Sequence, residues 1–140
     1  MSLLVSTKLF PIDIKYAEVK LKNGLDGIIL VKGEEMEKKY EGRTKELHTQ
    51  WLQPNWKEHT DIIRESMVWD AFKGERQMDF QLYRSLCIER FLKVWDIIDD
   101  AGSPVPCENK AIAQLEYNMA NALIDHFISK STPTESDLKN

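Results

Sequence analysis

From Asp79 to Ile98 an apolar or aromatic side chain returns every three or four residues, as Phe80, Tyr83, Cys87, Phe91, Val94 and Ile98. Leu82, Leu86 and Trp95 flank this seam. A repeat near 3.6 residues puts such side chains on one face of an α-helix. Asp79 stands where a helix start needs a side-chain acceptor. The spacing therefore predicts a long helix that begins after Asp79 and lies at the centre of the core.

The neighbouring segments read as elements that cover this helix. After Gly33, Met36, Tyr40, Thr44, Leu47 and Trp51 recur at steps of four, four, three and four, the stripe of an amphipathic helix. Pro54 ends that stripe by holding Gln53 away from helical geometry. Gly42 weakens it by ~1 kcal/mol relative to alanine. A second helix is expected from Asn55 or Trp56 to Phe72, with Ile62, Ile63, Met67, Trp69 and Phe72 on its apolar side and Gly74 beyond its end. The run from Asp99 to Pro106, with one glycine and two prolines, breaks the chain. A fourth helix is then expected from about Asn109 to Ile128, with Ile112, Leu115, Met119, Leu123 and Phe127 as its buried stripe.

The first third alternates instead. Phe10, Ile12 and Ile14 take every second position, and Ala17, Val19 and Leu21 oppose Glu18 and Lys20. Asn23-Gly24 supplies the positive-φ pair of a tight turn before Ile28-Ile29-Leu30-Val31. A β-hairpin at residues 15–32 follows. The expected fold is α+β and mostly helical: a four-helix core with a small N-terminal β-hairpin or short antiparallel sheet. Residues 1–32 form the β segment packed on the helices, 33–128 the helical domain, and 129–140 a flexible tail too polar to offset the entropy of ordering it.

Charge and composition narrow the function. The chain has 140 residues, with 19 basic against 23 acidic side chains and 42% hydrophobic residues, which suits one globular domain. Basic residues are interleaved with acidic ones, so no phosphate-binding surface for nucleic acid is expected. Met1-Ser2-Leu3-Leu4-Val5 is too short for a signal sequence, and no apolar run approaches the ~18 residues of a membrane span. Cys87 and Cys107 lack metal spacing and read as reduced thiols. His48, His59 and His126 fall on separate elements with no partner at ligand spacing. Gly24, Gly27 and Gly33 are too scattered for a phosphate loop. Asp99 and Asp100 read as a turn. No catalytic residue, cofactor site or metal site is expected, so the chain reads as a binding protein and not an enzyme.

Four tryptophans are more than a core of this size generally requires. Trp95 sits among apolar neighbours and reads as core. Trp51 and Trp56 flank the corner Leu52-Gln53-Pro54-Asn55, where they either plug a helix junction or anchor a partner. Trp51, Trp56 and Trp69 are the candidate partner-binding residues.

The stretch Phe91-Leu92-Lys93-Val94-Trp95-Asp96-Ile97-Ile98-Asp99-Asp100-Ala101-Gly102-Ser103-Pro104-Val105-Pro106, followed by a helix, resembles the C-terminal region of tail assembly chaperones of tailed bacteriophages. In that pattern a helix ends in a tryptophan-aspartate pair, followed by an acidic glycine-proline turn and a last helix with an aliphatic stripe. Cys107 departs from it, standing where a capping Ser or Thr is more usual, and Asn109 can replace it. The resemblance implies a non-catalytic protein of the host cytoplasm that keeps the tape measure protein soluble during tail assembly. From charge and hydropathy no nucleic-acid or membrane partner is expected, and a homo-oligomeric state stays open. The rival expectation is a virion structural component, such as a neck, connector or head-tail completion protein, that adds strands to a neighbour in a ring.

Overall fold

The alternation at the N-terminal end builds a longer strand than the hairpin needs, and that extra length reorganises the whole chain. The structure is a computed structural model and describes residues 8–131. Strand β1 (Leu9–Lys20) turns at Asn23-Gly24 into β2 (Asp26–Leu30), with Tyr16 opposite Leu30 and Lys20 opposite Asp26. Gly24 has φ +83°, and the Asn23 carboxamide oxygen accepts from the Leu25 N–H at 3.0 Å. The expected hairpin is thus present. The other edge of β1 pairs antiparallel with β3 (Thr44–Leu52), from Leu9 opposite Leu52 to Ala17 opposite Thr44. On the far side of β3 lies β6 (Leu92–Trp95), so the sheet runs β2-β1-β3-β6.

This sheet replaces the expected four-helix core, and the protein is not mostly helical. The first expected helix shrinks to α1 (Gly33–Lys39); Gly42, at φ +78°, then turns the chain into β3. A separation of four residues fits a two-residue period as well as a 3.6-residue one, so Leu47 and Trp51 satisfied both. Thr49 between them decides the matter: Leu47, Thr49 and Trp51 are buried, whereas Glu46, His48 and Gln50 are exposed. The second helix, α2 (Trp56–Glu65), stops at buried Ser66, whose hydroxyl donates to the Ile62 carbonyl at 2.7 Å. Residues expected to continue it form a separate hairpin of β4 (Met67–Asp70) and β5 (Glu75–Met78).

The third helix starts as expected. The Asp79 carboxylate accepts from the Leu82 N–H at 3.0 Å and caps α3 (Phe80–Phe91). It ends seven residues early, because sheet pairing takes over: the Asp96 carboxylate accepts from the His48 N–H, and the Trp95 indole donates to the Val105 carbonyl at 2.6 Å. The fourth helix is split into α4 (Asn109–Ile112) and α5 (Tyr117–Ser131), with the Glu116 carboxylate accepting from the Met119 N–H. Residues 129–131 of the expected tail are helical; residues 132–140 lie outside the described ones.

One face of the sheet carries the main core. Ile12, Ile14, Leu47 and Trp51 meet Cys87 and Phe91 of α3 and Leu123 and Phe127 of α5. Phe127 stacks on Trp51, Phe91 and Phe10, with ring centroids 4.7, 5.3 and 6.0 Å apart. Full burial of each such ring contributes about 2–3 kcal/mol. Thr49 is the polar member of this face: its hydroxyl donates to the Ile12 carbonyl at 2.6 Å and accepts from the Trp51 indole N–H at 2.8 Å. On the opposite face Tyr40 and Met36 cover Ala17 and Val31. The N-terminal strands therefore belong to the same core as the helices.

Candidate functional site

The structure separates the three candidate tryptophans. Trp51 is 0% exposed, held by the Phe127 stack and the Thr49 hydroxyl, so it is a core residue with no face for a partner. Trp56 is 82% exposed. Its position follows from the cap before it: the Asn55 side chain accepts from the Glu58 N–H, and the Glu58 carboxylate accepts from the Asn55 N–H. That box starts α2 at Trp56 and turns the indole outward. Trp69 is 66% exposed on β4, opposite Arg76 of β5. Trp56 and Trp69 thus lie at the start of α2 and beyond its end, and are not one cluster with Trp51.

The hairpin of β4 and β5 supplies the aromatic that the helical reading missed. Phe72 sits in the turn at its tip, 103% exposed, and Val68, Trp69 and the nearby Phe80 are exposed as well. The turn is built to hold this shape. The Asp70 carboxylate accepts from the N–H groups of Phe72 and Lys73, and Gly74, at φ +65°, closes it. Asp70 and Gly74 around Ala71-Phe72-Lys73 were the turn signal available in the sequence, and the apolar spacing of Met67, Trp69 and Phe72 obscured it.

The base of this ribbon is anchored. Met67 and Met78 face each other and are half-buried, and the Asp79 N–H donates to the Ser66 carbonyl at 2.8 Å. Glu65 at the end of α2 takes both guanidinium nitrogens of Arg90 on α3, one of them at 2.8 Å. That pairing lowers the Glu65 carboxyl below its ordinary range, the hydrogen bond from Arg90 being the main cause. The ribbon is therefore an anchored base that exposes Val68, Trp69 and, wholly, Phe72, an arrangement that marks contact surfaces.

Away from the hairpin, one cluster of acid-base groups converges among the described residues. Asp13, Glu46 and His48 converge on the exposed sheet face, the His48 Nδ1 lying 3.0 Å from Asp13 and 3.9 Å from Glu46. The hydrogen bond to Asp13 raises the His48 pKa above its ordinary value. All three side chains are open to water, as in an ordinary surface ion pair. Burial pushes the Cys87 thiol up, and burial beside Cys87 pushes Tyr83 up to about 12. Cys107 is also raised by burial, and both thiols are free. Neither has the lowered pKa of a nucleophile. Asp99 accepts from the N–H groups of Ala101 and Ser103 and is a turn residue.

Compared with known proteins, the chain matches no family model, no curated sequence and no solved structure. Among the described residues no helix is long and apolar enough to cross a membrane. Function is accordingly read from the surface alone, and the exposed hairpin is its most distinctive part.

Proposed function

We propose that this chain is a non-catalytic protein-binding protein whose contact surface is the aromatic hairpin of β4 and β5, with Trp69 and Phe72 as anchors and Trp56 as an outlying contact. The observation that carries this reading is Phe72, wholly exposed at the tip of a turn held by its own hydrogen bonds. Aromatic rings of this kind bury roughly 150–250 Å² each on docking. Because the turn is already ordered, little further entropy is lost when a partner covers it.

More specifically, we propose a tail assembly chaperone that keeps an apolar helical tape measure protein soluble in the host cytoplasm. This rests on the resemblance of residues 91–106, in which the acidic glycine-proline turn is a loop and the Trp95-Asp96 pair lies at the end of β6 instead of a helix. An amphipathic client helix laid across Trp69 and Phe72 would be held by side-chain burial without backbone pairing, and so be released readily. A ring-forming virion component is the second reading, favoured by the sheet's two open edges at β2 and β6.

Co-expression with the tape measure protein encoded in the same genome tests the proposal. Chaperone activity would raise the client's soluble fraction. No rescue, together with a ring-sized oligomer of the purified chain, would transfer the assignment to the structural reading.

A further inference from the structure

Strand β2 ends the sheet, and its outer edge has a definite hydrogen-bonding parity. The Val31 N–H donates to the Lys15 carbonyl at 3.0 Å, and the Leu25 carbonyl accepts from the Leu21 N–H at 2.8 Å. Odd-numbered residues therefore direct their backbone groups toward β1. By the alternation of an antiparallel ladder, Asp26, Ile28 and Leu30 direct theirs outward. Among the described residues no backbone group pairs with them. The edge holds three consecutive aliphatics, Ile28, Ile29 and Leu30, with no proline or inward charge to block pairing. Its flanks carry opposite charges, Asp26 before and Lys32 after.

We propose that this edge is a homodimer interface, in which residues 26–32 of two copies pair antiparallel about a two-fold axis at Ile29. Charge selects that register. With the axis at Ile29, Asp26 of each copy faces Lys32 of the other, Ile28 faces Leu30, and the two Ile29 side chains meet on the axis. The outward groups of Ile28 and Leu30 then meet their counterparts and the Lys32 N–H meets the Asp26 carbonyl, while the Lys32 carbonyl serves the first turn of α1. An axis at Ile28 would instead set Asp26 against Leu30, and an axis at Leu30 would carry the pairing to Glu34, which lies in α1 and cannot join a ladder. Asp26 already pairs with Lys20 across the hairpin, and its second oxygen remains available to a further donor.

Space for the second copy is present. A groove of about 570 Å³ runs beside the edge, bounded by Ile28 and Leu30 on the strand and by Asn121, Ala122, Asp125 and His126 on α5. Ile28 and Leu30 face the main core, so the opposing Leu30 and Ile28 of the second copy would enter this groove from the same side of the extended sheet. The result is one continuous eight-stranded sheet in which both β2 edges are covered. This inference is independent of the hairpin contact proposed above, which lies on different elements.

Sedimentation equilibrium of the purified full chain, across a micromolar concentration series, tests it. The wild type is expected to dimerise. Asp26→Lys and Lys32→Asp should each raise the dissociation constant about tenfold, since each places two like-charge pairs across the axis. The double variant Asp26→Lys/Lys32→Asp should restore dimerisation, because the swap recreates both pairs. Both positions are exposed, and unchanged circular dichroism will show that the variants fold. A strict monomer, a dimer indifferent to the single variants, or a ring of higher order would each overturn the proposal.

Discussion

Replacing Thr49 by valine tests the strand assignment of residues 44–52 and the polar joint within the core. Valine has nearly the shape of threonine, so no cavity forms and the effect reports on the hydroxyl alone. That hydroxyl donates to the Ile12 carbonyl at 2.6 Å and accepts from the Trp51 indole at 2.8 Å, at a site 2% exposed. Losing the first bond costs about 1 kcal/mol, and leaving the buried indole N–H without an acceptor costs about 1–3 kcal/mol. The sum, about 3 kcal/mol, corresponds to a fall of roughly 10 °C in the melting temperature for a chain of this size. Thermal unfolding followed by circular dichroism measures it, with Trp51→Phe and the double variant completing a cycle. The double variant should lose less than the sum of the singles, by about 1–2 kcal/mol, because no N–H is then orphaned. A Thr49→Val melting temperature within about 2 °C of wild type would refute the reasoning, since it would mean that Thr49 does not lie between Leu47 and Trp51 on the buried face.

Other expectations follow from the same geometry. Phe72→Ala should change stability by less than about 0.5 kcal/mol in a urea titration, because its ring is wholly exposed, and Trp69→Ala, whose ring is two-thirds exposed, by less than about 1 kcal/mol. Neither thiol should react quickly with a maleimide or disulfide reagent at pH 7 in the folded protein, because burial raises both Cys87 and Cys107; full reactivity should appear only in denaturant. In an NMR titration His48 should lose its proton above the ordinary histidine value, and Asp13→Asn should bring it back down. The sign is that of a raised pKa: stability from this pair is full below the unfolded pKa and is lost as pH rises through the folded one. His126, lowered mainly by burial and then by Lys130 and Lys32, has the opposite sign: its contribution is present above the unfolded pKa and is lost as pH falls through the folded one.

The parts of the fold legible in the sequence were those set by local chemistry. Asn23-Gly24 marked its turn, Asp79 its cap, and the Asp99–Pro106 run its loop, because each depends on side chains acting on neighbouring backbone. The helix ends were not legible. Leu92 to Trp95 continue the apolar seam of α3, yet pairing with β3 draws them into the sheet, a contact between residues more than forty positions apart. Leu47 and Trp51 failed for a different reason, their spacing being common to both periods, with buried Thr49 disguised as a polar break. Among the candidate anchors Trp56 and Trp69 are exposed, whereas Trp51 is not: a tryptophan beside a proline corner reads the same in sequence whether its ring turns in or out. Phe72 escaped notice because a helical stripe had absorbed it.

The central claim is that the hairpin of β4 and β5 carries partner binding while the sheet and its helices carry the fold. Its most direct test is quantitative pull-down of the co-expressed tape measure protein by wild type and by the Trp69→Ala/Phe72→Ala double variant, with melting temperatures recorded beside them. Loss of capture by about 30-fold or more at an unchanged melting temperature is the expected result, the cost of removing aromatic hot spots. Undiminished capture by a folded double variant would contradict the claim.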